Sequence, residues 1–143
     1  MSVRKYQESH VSTASPMELV MMLYDEAIKS LDKAESAFGI NDPSRIEQIG
    51  NNLLHAQDVI TELAVSLDME KGGEIAHQLQ RLYDFMVHHL SKADVSKDLK
   101  GIKEVRKMLS DLREAWGAVA QKEVVANEPA REAMANNTIS VTG

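Results

Sequence analysis

Apolar residues recur every three or four positions along four stretches of the chain. The second stretch is the clearest, and its apolar positions are Ile46, Ile49, Leu53, Ala56, Ile60, Leu63 and Leu67. Such spacing places the side chains on one face of an α-helix, as in helices that pack against antiparallel neighbours. The other three stretches show the same period at Leu19, Val20, Leu23, Tyr24, Ala27, Leu31, Ala34 and Phe38; at Ile75, Leu79, Leu82, Tyr83, Met86, Leu90 and Ala93; and at Ile102, Val105, Leu109, Leu112, Trp116 and Val119. The pattern predicts four amphipathic helices.

Residues that cap or break helices lie between these stretches. Ser15 and Pro16 are predicted to start the first helix, and Glu18 to complete a capping box. Gly39 is expected to end that helix. The run Asn41-Asp42-Pro43 is expected to start the second by the same cap-then-proline logic.

The loops between the predicted helices are short. Gly72 and Gly73 interrupt the pattern between the second and third helices, and we expect them to form a tight structural turn. Short loops force neighbouring helices to run antiparallel, which predicts an all-α, up-down four-helix bundle over residues 15–125. Residues 1–14 are expected to form an extended N-terminal segment that packs on the bundle. Residues 126–143, small and polar, are expected to form a disordered tail.

Composition removes several classes of function. The chain of 143 residues contains no cysteine, which excludes disulfides, thiolate metal sites and cysteine nucleophiles. Its net charge of −6 argues against nucleic-acid binding, because phosphate recognition requires basic surface. It has no apolar stretch of membrane-spanning length and no apolar core behind its N-terminal charges, so neither membrane insertion nor a secretory signal is expected. The cytosol is the expected compartment.

Few residues have spacing that would support chemistry. Glu74 and His77 have the spacing of half a carboxylate-bridged di-iron site, but no second such pair exists. His89, with Lys92 one turn away, resembles the phosphoacceptor of histidine phosphotransfer bundles, and this remains the alternative function. No serine triad or phosphate loop is present. We therefore expect no enzyme activity, no cofactor and no metal.

Several apolar residues fall outside the faces that a bundle needs. They are Met21 and Met22 on the first helix, Leu54 and Val65 on the second, Phe85 on the third and Met108 on the fourth. One interpretation is that bundles have wide apolar faces and a few exposed apolar residues. The other is that these residues line surface grooves that accept partner helices. A self-associating structural bundle is a further possibility, in which the same faces meet another copy of the chain.

Several short motifs, in a fixed order, resemble those of the flagellin export chaperones, the FliS family. The most specific is Leu67-Asp68-x-Glu70-x-Gly72-Gly73-Glu74-Ile75-Ala76. The others are Tyr6-Gln7, Thr13-Ala14-Ser15-Pro16-x-Glu18-Leu19, Met22-Leu23-Tyr24, Ala56-Gln57-Asp58-x-Ile60-x-Glu62-Leu63, Leu82-Tyr83 and Leu112-Arg113-Glu114-Ala115-Trp116. Together they span roughly residues 4 to 122.

The resemblance implies a cytosolic chaperone that binds the disordered C-terminal segment of flagellin. The bound segment would form helices in surface grooves, which would prevent premature polymerisation and support flagellar type III export. The resemblance also implies that the N-terminal segment, with Tyr6 and Gln7, takes part in client binding or its control. Export-apparatus components or a co-chaperone are possible further partners, and the free chain is expected to be a monomer or a weak homodimer.

Overall fold

The computed structural model describes the backbone of residues 15–142 and the side chains of residues 15–121. Four helices follow one another: α1 (Pro16–Ala37), α2 (Arg45–Val65), α3 (Met69–Ser96) and α4 (Leu99–Thr142). The main helix contacts are between α1 and α2, α2 and α3, α3 and α4, and α4 and α1. The described chain is therefore the up-down four-helix bundle that the pattern predicted, and no strand occurs within it. The predicted N-terminal segment, residues 1–14, lies outside the described residues.

The core consists of the side chains that the apolar period placed on the inner faces. The largest fully buried ones are Tyr24, Tyr83, Leu23, Leu31, Ile49, Leu53, Ile60, Leu63, Met86, Leu90, Ile102 and Leu109. Each such aliphatic side chain contributes about 1.5 to 3 kcal/mol when buried. Three residues assigned to these faces, Ile46, Ile75 and Val119, are instead exposed. Ile46 and Ile75 lie near the starts of their helices and Val119 lies far along α4, where the period continues but neighbouring helices no longer cover the face.

The helix ends follow local hydrogen bonding. Ser15 caps α1 as predicted, because its Oγ accepts a hydrogen bond from the Glu18 backbone N–H at 3.1 Å. The second helix begins at Arg45, two residues later than predicted. The reason is that Asp42 Oδ1 accepts a hydrogen bond from the Ser44 N–H at 2.8 Å, which closes a turn before the helix instead of capping the helix itself.

The two glycines form a kink inside α3, not the turn between helices that the sequence predicted. Asp68 starts α3 by accepting hydrogen bonds from the backbone N–H groups of the first turn, so Met69–Gly72 is already helical. At Gly73 the backbone adopts φ +54° and ψ −132°, which interrupts the helix. A Cβ on Gly72 would lie 2.6 Å from the Cβ of Ala76, so this position also excludes a side chain.

Replacing Gly73 with Ala is expected to lower the free energy of unfolding by about 1 to 3 kcal/mol, because an L-residue is strained at that backbone conformation. Gly39→Ala is the matched control. Gly39 does not have positive φ, and an added Cβ there would meet only the Ser36 carbonyl oxygen, at an ordinary 3.5 Å. Urea denaturation of both variants measures the difference. Equal stability of the two would contradict the assigned role of Gly73.

The backbone of the last helix, α4, is helical as far as Thr142, so the helix extends over residues 126–142, for which a disordered tail was predicted. Alanine and glutamate, which favour helix, are frequent after residue 122. The side chains of this extension lie outside the described residues, and its disorder in solution stays a prediction.

Within the described part of the chain, no helix is long and apolar enough to cross a membrane.

Candidate functional site

An apolar groove lies at the end of the bundle where α1 starts and α2 passes into α3. It encloses about 260 Å³, and we call it the end groove. Its apolar walls include Met17 and Val20 of α1, Leu67 of the loop before α3, Ile75 and Leu79 of α3, and Trp116 of α4. The groove is large enough for a few side chains of a docked helix.

Small residues keep the end groove open. Ser66, Gly72 and Ala76 line it and project little or nothing into the space. The kink at Gly73 separates the first turn of α3 from the rest of the helix, so the side chains before and after it do not form one continuous wall. The open space of the groove depends on the glycines of the motif. Apolar spacing alone assigned two of its lining residues, Leu67 and Leu79, to the core.

A buried hydrogen-bonded cluster lies beside the end groove. The hydroxyl oxygens of Tyr24 and Tyr83 are 2.5 Å apart, and the Trp116 indole N–H donates to Tyr24 Oη at 3.1 Å. Tyr83 and Trp116 line the groove, whereas Tyr24 lies behind them and is fully buried. Burial raises the pKa of both phenols, so both hydroxyls stay protonated at neutral pH and can donate hydrogen bonds.

Among the described residues, the end groove is lined by negative charge and by no positive charge. Asp68 is its one charged lining residue among the described side chains, and no lysine, arginine or histidine lines it. The Asp68 carboxylate caps α3 through the N–H groups of Glu70 and Lys71, which holds it in place. An anionic group entering the groove would therefore meet a like charge and no cation, so the site disfavours anionic occupants.

Large exposed apolar side chains are concentrated on two helices. Of the seven in the described chain, three lie on α2, three on α3 and one on α4. They are Ile46, Leu54 and Val65; Ile75, Phe85 and Val95; and Val119. None lies on α1 within the described residues. The exposed apolar surface of the described residues therefore lies mainly along α2 and α3.

The seam between α1 and α4 is polar by contrast. Arg113 binds Asp25, Arg106 binds Asp32, and Lys103 lies 3.6 Å from Glu35. These pairs lie along one side of the two helices and contribute little stability individually, because they are solvent-exposed. This side of the described bundle therefore presents charged side chains.

The structure places Leu54, Val65 and Phe85 on the surface, with 58%, 73% and 51% of their areas exposed. Leu54 lies one turn after Gly50, which approaches Asp94 of α3, so Leu54 is on the α3 side of α2. That these residues are exposed agrees with the sequence analysis. Their role in binding stays a prediction.

Phe85 lies on the opposite side of α3 from Leu54. Its ring stacks on the imidazole of His89 with centroids 5.1 Å apart, and His89 Nε2 lies 2.9 Å from Glu104 Oε2 of α4. The predicted binding residues are thus distributed around the bundle and do not meet in a single groove.

The three predicted methionines are only partly exposed. Met21, Met22 and Met108 are half-buried, and Met108 packs against the core. Met21 points toward α4, where a Cβ on Gly117 would lie 3.5 Å from its Cε. None of the predicted binding residues within the described chain lines the end groove. Tyr6 and Gln7 lie outside the described residues.

The residues considered for chemistry have ordinary structural partners. His89 Nε2 is already hydrogen-bonded to Glu104, so a phosphoryl group on that nitrogen would lie beside a carboxylate. Glu74 lies 3.4 Å from Arg81 on the exposed face of α3. Among the described residues, no three His, Asp or Glu side chains form a group that could hold a metal ion.

The fold and its surfaces define a class: a four-helix bundle with an apolar end groove and apolar side chains exposed along two helices. A family model described as "Flagellar protein FliS" matches residues 1–123. The chain therefore belongs to the FliS family, as its motifs predicted. This is a family of chaperones, not of enzymes.

Three relatives document the similarity. The "Flagellar secretion chaperone FliS" of Salmonella typhimurium is 39% identical over 116 residues, which cover 80% of this chain and 84% of the relative. The protein of the same description from Bacillus subtilis is 33% identical over 118 residues, covering 82% and 85%. "Flagellar secretion chaperone FliSB" of Pseudomonas aeruginosa is 30% identical over 123 residues, covering 83% and 95%.

Proposed function

We propose that this chain is a cytosolic chaperone for flagellin that binds the C-terminal segment of its client. The observation that carries the proposal is apolar surface left uncovered at the end groove and along α2 and α3, in a member of a flagellar secretion chaperone family. Helices that each have one apolar face would cover the separate parts of this surface. Each apolar side chain buried in this way contributes about 1.5 to 3 kcal/mol, so a few anchors outweigh the ordering of a flexible segment.

The position of the end groove suggests how the client and the N-terminal segment are related. Pro16 and Met17 line the groove, so the chain enters the bundle at its edge. Residues 1–14 immediately precede this edge of the groove in the chain. The proposal extends to Tyr6 and Gln7, which take part in client binding or its control. Holding the client in this way keeps it from polymerising until the flagellar type III machinery, with or without a co-chaperone, receives it.

Titration of the chain with the C-terminal segment of flagellin from the same organism tests the proposal. Isothermal calorimetry is expected to give one-to-one binding. The helical circular dichroism of the mixture is expected to exceed the sum of its parts, because a disordered segment becomes helical. Absence of both signals, with a segment that is itself soluble and monomeric, would refute the proposal. If the free chain instead forms oligomers as its concentration rises, its apolar surface serves self-association.

Replacing both Leu54 and Val65 with Asp is expected to weaken client binding at least about tenfold, because two exposed anchors are lost. The thermal midpoint should change little, since neither side chain is buried. Thr61→Asp is the matched control: it adds a negative charge to the exposed face of the same helix without removing apolar surface. Unchanged affinity in the double variant would remove α2 from the client-binding surface.

A further inference from the structure

The cluster beside the end groove has one more hydrogen-bond donor than it uses. Trp116 N–H, Tyr24 O–H and Tyr83 O–H supply three protons. The described residues provide only two contacts for them: Trp116 to Tyr24, and Tyr24 with Tyr83. Each hydrogen bond uses one proton. One phenolic proton in the cluster is therefore without an acceptor among the described side chains.

Position relative to the end groove decides which hydroxyl carries this proton, because both phenol side chains are buried and only Tyr83 lines the groove. If Tyr83 donated to Tyr24, the Tyr24 oxygen would accept two bonds and its own proton would be sealed in the core, where Tyr24 is fully buried. A buried donor without a partner is unfavourable. If Tyr24 donates to Tyr83 instead, Tyr24 is satisfied as both donor and acceptor. The free proton then lies on Tyr83, the residue that lines the groove.

The residues that line the end groove limit which acceptor can form a hydrogen bond with the Tyr83 hydroxyl. A carboxylate is disfavoured, because Asp68 lines the same groove and no basic side chain does. The backbone carbonyls inside a docked helix are already used by the helix itself. A side-chain amide is neutral, accepts strongly through its carbonyl oxygen and projects from the helix surface.

We propose that Tyr83 is the specificity residue of the end groove, and that its hydroxyl donates a hydrogen bond to the amide side chain of an Asn or Gln on the docked client helix. The apolar walls hold the neighbouring side chains of that helix, and Tyr83 fixes its register. This inference rests on the proposed function, because the docked helix is that of the flagellin C-terminal segment.

A double-mutant cycle tests the hydrogen bond directly. The full chain, wild type and Tyr83→Phe, is titrated with the flagellin C-terminal segment in which each Asn is changed to Leu and each Gln to Met in turn. Tyr83→Phe is expected to raise Kd about five- to tenfold, the worth of one net hydrogen bond. One amide substitution should cause a similar loss with the wild-type chain and almost none with Tyr83→Phe. The client substitutions use the wild-type chaperone, so this part of the test does not require a folded variant.

Tyr24→Phe is the matched control, because it removes a hydroxyl from the same cluster but from the residue that does not line the groove. It should keep the dependence on the client amide, and circular dichroism verifies that both variants fold. If the wild-type chain binds the segment but every amide substitution changes Kd equally for the wild type and for Tyr83→Phe, the inference is wrong and the proposed function stands. Coupling to a client carboxylate or hydroxyl alone would also overturn it. If the wild type does not bind the segment, both the inference and the proposed function fail.

Discussion

Replacing Ile75 with Asp is expected to lower the affinity for the flagellin C-terminal segment about a hundredfold or more. Ile75 lies at the mouth of the end groove. The substitution removes an apolar anchor, worth about 1.5 to 3 kcal/mol when covered, and forces the client to bury an unpaired carboxylate. The new charge also lies in the groove that Asp68 lines, with no basic residue there to compensate it. Calorimetric titration measures the change.

The fold itself should tolerate this substitution. Ile75 is 66% exposed, so little core packing is lost, and a negative charge is favourable near the start of the helix that resumes after Gly73. Val95→Asp is the matched control, because Val95 is an 87% exposed residue near the other end of α3. Both variants should melt within about 3 °C of the wild type, as surface substitutions do. Equal client affinity of the two variants would show that the end groove is not where the client binds.

The largest expected loss of stability comes from Ile60→Asp. Ile60 is fully buried on the core face of α2. The substitution creates a cavity and places a carboxyl group where no basic partner is available among the buried residues, which together cost about 5 kcal/mol or more. Since small domains are stable by only about 5 to 15 kcal/mol, the thermal midpoint should fall by at least about 15 °C.

Val65→Asp is the control for this experiment. Val65 lies on the same helix as Ile60, but it is exposed. The same chemical change should therefore shift the melting curve by only a few degrees. Thermal unfolding followed by circular dichroism compares the two. If both variants melt together, the division of α2 into a core face and an outer face is incorrect.

The bundle architecture could be predicted because it depends on local spacing. Leu53, Ile60 and Leu63 had to share a helix face whatever surrounded them, and short loops left only antiparallel neighbours. The family could be identified because its motifs are contiguous in sequence. The exposure of Leu54, Val65 and Phe85 followed from the same helical geometry, since they fall outside the faces that the core uses.

The predictions of burial were wrong where burial depends on whether a neighbouring helix covers the side chain, and not on the spacing of the residue along the chain. Ile46 and Ile75 have the period of core residues, yet neighbouring helices do not cover them. Leu67 and Leu79 were assigned to the core and do pack against it, but the structure also places them in the wall of a groove. An apolar pattern identifies the face of a helix that needs a partner. It does not tell whether that partner belongs to the same chain.

The sequence by itself determined the four helices, their antiparallel order, most of the core and the family. Only the tertiary structure decided that Tyr24, Tyr83 and Trp116 share a hydrogen-bonded cluster, because these residues are 59 and 92 positions apart and lie on three different helices. It likewise decided that the kink at Gly73 leaves an open groove beside that cluster. Helical periodicity reports each helix separately, whereas a binding site depends on how the helices are arranged around a space that none of them fills.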